Sequence, residues 1–336
     1  MQAYRISQFG QENLKPTTLP DPQPGPGQIL IRVHAVSLNY RDLLVVRGVY
    51  NPKMRLPRIP CSDGAGQVLA IGEGVTQVCV GDRVAGIFMR NWQEGDLTTA
   101  KAKGALGGDI DGMLAGQVVL PETGVVRIPE YLSYEQAATL PCAALTAWNA
   151  LTVAAQIRAG DTVVIQGTGG VSIFALQFAK LLGARVLGTS SSDAKLQHAC
   201  NLGLDAGLNY KTHPEWAAWV LEQTDGLGAD LVMEVGGAGT LTQSLAAVRP
   251  SGLIAQIGIL SGVDLSISIP ALLHKQVRLQ GIYVGSRAMF QSMNRALALH
   301  RLQPEIDKVY PFAAAQAAFT HLANATHFGK ILISLE

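Results

Sequence analysis

One stretch, residues 162–192, constrains this chain more than any other: T-V-V-I-Q-G-T-G-G-V-S-I-F-A-L-Q-F-A-K-L-L-G-A-R-V-L-G-T-S-S-S. It opens on a short, β-branched apolar run, 162–165, the pattern of a fully buried parallel strand. A glycine turn follows at Gly167, Gly169 and Gly170. Val171, Phe174, Ala175, Phe178 and Leu182 then recur at helical spacing with one buried face. Gly183 is placed to end that helix in the left-handed conformation. A second apolar strand is expected over 185–189. Strand, glycine turn, helix and strand together make the βαβ unit that binds a dinucleotide.

The turn has a physical rationale. A pyrophosphate needs backbone N–H donors and the positive end of a helix dipole. Side chains at the turn would hold the phosphates away, which is why glycine is used there. Gly167, Thr168, Gly169, Gly170 and Val171 are therefore expected to take the pyrophosphate, although Ser172 stands where a third glycine is usual. An ordinary βα loop can also carry a glycine turn; the flanking strand and helix weigh against that. The end of the second strand selects the cofactor. NAD enzymes place Asp or Glu there for the ribose 2′-hydroxyl. This chain has Thr189, Ser190, Ser191 and Ser192 instead, with Lys195 nearby. Hydroxyls and a cation suit a 2′-phosphate, so NADPH is the expected cofactor. The serines would also serve to cap a helix over 193–201.

The chain has 336 residues, which suggests two domains. Lys plus Arg number 26 and Asp plus Glu 25, so neither nucleic acid nor an acidic membrane is an expected partner. Charged residues are 15%, against about 25% in ordinary domains. Much of the chain should therefore be buried, a subunit interface included. No apolar run reaches the ~18 residues of a membrane span. The first ten residues lack a signal-peptide core, and a cytoplasmic protein is expected. Cys61, Cys79, Cys142 and Cys200 are scattered, with no C-x-x-C pair. Neither a disulfide framework nor a zinc knuckle is indicated.

Residues 1–125 are β-rich, with strands expected at 29–36, 66–71 and 84–88 between Pro and Gly clusters. A short strand between two turns is expected within 72–84. Residues 90–115 have the composition of a long surface loop, and a helical pattern begins at Ser133. Beyond the βαβ unit, helices are expected at 193–201, 214–223, 241–248 and 289–300. Strands are expected at 208–210, 230–235, 253–257, 279–284 and 330–335. Such alternation implies a parallel sheet with helices on both faces.

Three stretches are quite specific: I-G-E-G-V-T-Q-V-C-V-G-D-R-V, L-P-C-A-A-L-T-A-W-N-A-L and V-I-Q-G-T-G-G-V-S. With them the whole chain resembles the medium-chain dehydrogenase/reductase superfamily, in its zinc-free quinone oxidoreductase-like branch. The resemblance implies an α/β chain with a GroES-like, β-rich catalytic domain (1–125 and 286–336) and an inserted doubly wound Rossmann domain (126–285). The active site would lie in the cleft between them. Zinc members hold their metal with Cys, His and Cys; the matching positions here are Asn39, Ser62 and Cys142, and only the last is a good ligand. No metal is therefore expected. The 90–115 segment also lacks the four cysteines of the structural zinc lobe.

Without a Lewis acid the substrate should bring its own activation, as a quinone or an α,β-unsaturated carbonyl does. Hydride then goes to the β-carbon, and donors must stabilise the enolate oxygen. The stretch S-L-N-Y-R-D-L-L-V-V-R-G-V-Y resembles the corresponding loops of enoyl and quinone reductases. It supplies Asn39, Tyr40, Arg41, Asp42 and Tyr50, with Tyr50 the first choice as donor. Arg41 and Asp42 would equally well pair with each other, and Tyr50 would equally well be a loop aromatic. The resemblance further places Tyr210 near the 2′-phosphate. It sets Gly236, Ile257 and Gly258 on the nicotinamide side, with Tyr283, Val284 and Gly285 ending the sixth strand. That edge strand pairs across a two-fold axis in relatives, which implies a homodimer. Two other functions compete with the quinone/enone reductase: a zinc-free alcohol/aldehyde dehydrogenase, and an NADPH-binding protein without turnover.

Overall fold

The computed structural model describes residues 1–264 and 266–335. The chain divides into two compact units, Met1–Leu145 with Gly285–Glu336, and Thr146–Val284. Residues 126–145, expected in the nucleotide-binding domain, pack with the first unit.

The first unit opens with an antiparallel pair, β1 (Gln2–Ile6) and β2 (Leu14–Thr18). Its main sheet begins with β3 (Gln28–Ser37), whose I-L-I-R-V-H-A-V run buries most of its length. A short helix, α1 (Tyr40–Val46), follows directly. Then come β4 (Asp63–Ile71), β5 (Arg83–Gly86), β6 (Gln117–Pro121) and β7 (Val125–Arg127). No strand forms between β4 and β5. There Gly81 N–H donates to Val68 O, and the Asp82 carboxylate accepts from Cys79 N–H, so the backbone turns instead of pairing. The 90–115 segment is irregular, as expected, but not superficial. Trp92 is buried, and so are Leu106, Met113, Leu114 and Ala115, whose apolar side chains join the core of this unit. Helix α2 (Tyr134–Ala138) is capped by Ser133 and continues through wide turns into α3 (Leu145–Trp148), where the second unit begins.

The second unit is a parallel sheet. It contains β8 (Thr162–Gln166), α4 (Gly170–Leu181), β9 (Arg185–Ser190) and α5 (Asp193–Asn201). These are followed by β10 (Ala206–Asn209), α6 (Trp216–Gln223), β11 (Ala229–Glu234) and α7 (Leu241–Ala247). Last come β12 (Val248–Gln256), α8 (Ile269–Lys275) and β13 (Arg278–Gly281). The order is β10-β9-β8-β11-β12-β13, so the winding reverses between β8 and β11. Ligands bind outside the carboxyl ends of the strands at such a switch point. Helix α4 buries Phe174, Phe178 and their neighbours against the sheet, and Gly183 follows it at φ 81°.

The sixth strand ends at Gly281 rather than 284. Val284 takes φ 56°, which a β-branched residue adopts only when held there; the Asn149 side-chain N–H donates to its carbonyl at 2.8 Å.

The chain returns to the first unit as α9 (Arg287–His300), β14 (Ile306–Pro311), α10 (Ala315–Ala323) and β15 (Lys330–Ser334). β15 pairs antiparallel with β3 and closes the mixed sheet. A GroES-like mixed sheet with a separate Rossmann sheet is the fold class expected.

Candidate functional site

In the second unit the glycine turn is open. Gly167 takes φ 68° and its N–H donates to Thr189 O, which joins the ends of β8 and β9. A β-carbon on Gly167 or on Gly169 would meet no protein atom within 4 Å. This leaves a cradle before the twelve-residue helix α4, with Gly169 as its N-cap, Gly170 and Val171 opening it, and Thr168 buried alongside. Ser172, in place of the third glycine, donates to Gln166 O at 2.7 Å and so staples the helix to β8.

At the end of β9, Ser190 is buried, and its carbonyl accepts the N–H of Tyr210, whose ring is 42% exposed. Ser191 and Lys195 are half-buried beside them. Ser190 thus ends β9 and Ser191 follows it, Lys195 lies in the first turn of α5, and Tyr210 follows β10, the strand paired with β9. The glycines expected on the nicotinamide side are shaped by Glu234, which sequence reasoning passed over. Its fully buried carboxylate accepts from Gly236 N–H at 2.8 Å, Gly237 N–H at 2.9 Å and Thr240 Oγ1 at 2.5 Å. Its other oxygen accepts from Gln166 Nε2 at 2.8 Å and from the Ser244 hydroxyl. Ile257 and Gly258 donate to Glu234 O. The end of β8 and the turns after β11 and β12 are therefore tied to one residue, Glu234, through its side chain and its main-chain carbonyl. Tyr283 and Val284 lie beyond β13, and Gly285 belongs to the first unit.

In the first unit Asn39 caps α1. Its N–H donates to Asp42 Oδ2 at 2.8 Å, the reciprocal half of a capping box. Asp42 also accepts from Ser62 N–H, so both its oxygens are held by backbone. Burial pushes its carboxyl up, while Arg41, these N–H groups and Lys330 pull it down. Arg41 pairs with Asp42 only at 3.8 Å. Its guanidinium instead donates to Leu106 O and lies between the rings of Tyr50 and Phe88, 5.0 and 4.7 Å from their centroids. Tyr50, 39% exposed, is thereby held by Arg41.

The centre of this cluster is Lys330, at the start of β15. It is 3% exposed, and its ammonium donates to Leu38 O at 2.5 Å and Asn39 Oδ1 at 2.6 Å. Asp63 is fully buried beside it and accepts from Ser62 Oγ at 2.7 Å and Cys142 N–H at 3.0 Å. Burial raises the Asp63 carboxyl to about 6, with Lys330 the largest opposing influence. The Cys142 thiol is pushed well above its ordinary range, by burial first and Asp63 second. Asn39, Ser62 and Cys142, 103 positions apart at most, do meet around this cluster. Lys330 and Asp63 left little signal: a lone lysine opening an I-L-I strand, and an acid after a serine in P-C-S-D-G. Among the described residues, no group of three or more His, Cys, Asp or Glu is placed to hold a metal ion.

Two family models match the chain, a zinc-binding dehydrogenase over residues 170–299 and an alcohol dehydrogenase GroES-like domain over 25–130. A zinc-type alcohol dehydrogenase-like protein of Schizosaccharomyces pombe is 41% identical over 334 residues, covering 97% of this chain and 96% of the relative. A quinone oxidoreductase of Pseudomonas aeruginosa is 32% identical over 321 residues, covering 93% and 92%. The crystal structure of a putative alcohol dehydrogenase from Sinorhizobium meliloti superposes with a TM-score of 0.94 at 42% identity, covering 99% of this chain and 98% of that one.

Proposed function

The chain belongs to the medium-chain dehydrogenase/reductase superfamily, and from that premise we propose that it is an NADPH-dependent reductase of quinones or α,β-unsaturated carbonyls that works without zinc. The observation that carries this reading is the buried Lys330 ammonium on Asn39 Oδ1. A catalytic zinc needs three protein ligands. At the three matching positions, the Asn39 oxygen is occupied by a cation and the Ser62 hydroxyl donates to Asp63. Burial, with Asp63 beside it, pushes the Cys142 thiol well above its ordinary range. An ammonium among these groups also repels a divalent ion. The donor set does not fit zinc, despite the names that some relatives carry.

The cradle before α4 fits a pyrophosphate, because protein leaves the space beside Gly167 and Gly169 empty at the N-terminus of a twelve-residue helix. Ser190, Ser191, Lys195 and Tyr210 would hold the 2′-phosphate of NADPH, which supplies the hydride when bound. The chain's own task is the other half of the reaction. When a hydride, two electrons and one proton, joins the substrate β-carbon, negative charge moves to the carbonyl oxygen. Asn39 and Tyr50 are the donors assigned to that oxygen, and a proton from solvent completes the product at the α-carbon. Arg41 holds the Tyr50 ring, and Asp42 holds the α1 terminus that carries Asn39.

The partner is a small carbonyl or quinone, and the assembly a homodimer. Every residue of the edge strand β13 is exposed, and Ile269 and Leu273 of α8 expose 61% and 67% of their surface beside it in sequence. An alcohol/aldehyde dehydrogenase is the second reading, favoured by the names of the S. pombe and S. meliloti relatives. Initial rates with NADPH and NADH on a panel of quinones, enones and simple aldehydes test the choice. NADPH-dependent turnover of quinones or enones supports the proposal, and turnover of aldehydes alone overturns it.

A further inference from the structure

The cluster around Lys330 contains more than the reductase reading uses. Lys330, Asn39, Asp42, Asp63, Ser62 and Cys61 are each at least nine-tenths buried. They come from β15, α1, β4 and the segment before β4, with Cys142 from the turn after α2. The charges facing Lys330 are Asp42, Asp63 and Arg41, and the titratable thiols are Cys61 and Cys142. Two carboxylates and two cations balance. Lys330 fixes the Asn39 amide by its oxygen, which leaves Nδ2 buried as the donor end, on the side where the Asn39 side chain also steadies the Asp63 carboxyl. An amide orientation is otherwise free to flip; a cation on one atom removes that freedom.

We propose that Lys330 is the internal cation of this site: it positions Asn39 with the amide nitrogen as the donor to the substrate oxygen, and it lends positive charge to the oxyanion that forms there. This rests on the reductase reading above. Lys330 acts through Asn39 and is a positioning residue; a divalent ion is replaced by an ammonium that the strand carries with it. Charge-assisted contacts are shorter and stronger than neutral ones, and the buried setting leaves Lys330 little screening.

The test is a double-mutant cycle on the full-length protein, with kcat and KM for an enone, the Kd of NADPH and the unfolding midpoint read for each variant. Lys330→Met and Asn39→Ala should each lower kcat about 10²-fold, the cost of losing one oxyanion donor, with NADPH affinity unchanged. The two together should lose no more than either alone, since the first acts through the second. Losses that multiply, or a loss confined to NADPH affinity or stability, would overturn the proposal. If Lys330→Met fails to fold, Lys330→Met with Asp63→Asn removes one charge of each sign. That pair should fold and keep the kcat defect, and wild-type turnover in it would overturn the proposal equally. A wild type inactive on every quinone and enone sinks the reductase reading and this inference with it. An active wild type with an unimpaired Lys330→Met variant sinks this inference alone.

Discussion

Asp63 sits uneasily with its charge: fully buried, with its carboxyl raised to about 6. An unfolded chain would titrate it near 3.9. Between these values the folded protein holds the extra proton, so this group's contribution is most favourable below about pH 4 and is lost as pH rises through about 6. The stability difference between wild type and Asp63→Asn should therefore shrink by roughly 3 kcal/mol from pH 4 to pH 7, seen in urea melts at each pH. Parallel curves would show that Lys330 neutralises Asp63 fully. Tyr50 is the other informative residue. Tyr50→Phe keeps the ring that Arg41 stacks upon and removes only the hydroxyl. Its kcat on an enone should fall about 10²-fold, with NADPH affinity intact and a smaller loss on quinones. Wild-type turnover on every accepted enone would remove Tyr50 from the mechanism. Asn39 and Tyr50 became candidates because local motifs carry them. Lys330 did not, since its partner lies 291 positions away and only the β15–β3 pairing brings them together.

At the level of elements, periodicity named most of the second unit. Helix α5 has the bounds expected of it, and the βαβ stretch folds as strand, turn, helix and strand. Periodicity failed where local hydrogen bonds win. Helix α1 is seven residues long, too short to show a period, and exists through its Asn39–Asp42 cap and packing. The strand expected over 279–284 stops at Gly281, before the left-handed Val284 that tertiary contact imposes. The glycine turns give a paired prediction. Gly169→Ala adds a methyl that meets no protein atom, so the unfolding midpoint should stay near wild type while NADPH binding weakens tenfold or more, ~1.4 kcal/mol. Gly258→Ala sets its methyl 2.1 Å from Val235 O, backbone that must move. It should cost about 1–3 kcal/mol in stability as well as cofactor affinity. Calorimetry with fluorescence titration of NADPH reads both. Equal effects of the two substitutions would mean that the α4 cradle is not where the cofactor lies.

For the molecule as a whole, low charge content pointed to extensive burial, and the fold has a natural place for more of it at β13. Sedimentation should give twice the chain mass, and Leu279→Lys, on that edge, should shift the protein towards the monomer. A monomeric wild type would leave β13 without an assigned partner. The division into two units was legible from the switch between β-rich and alternating segments, but its border was not. From Tyr134 the chain forms helical turns like those that follow Leu145, and only contacts assign residues 126–145 to the first unit. The central claim is that an ammonium and an amide stand where relatives' names imply zinc. Its most direct measurement is the NADPH-dependent rate on a quinone or enone before and after exhaustive dialysis against a strong chelator, with metal content determined on the same samples. The account predicts an unchanged rate at negligible zinc. A rate that vanishes with stoichiometric zinc and returns on its addition would contradict it.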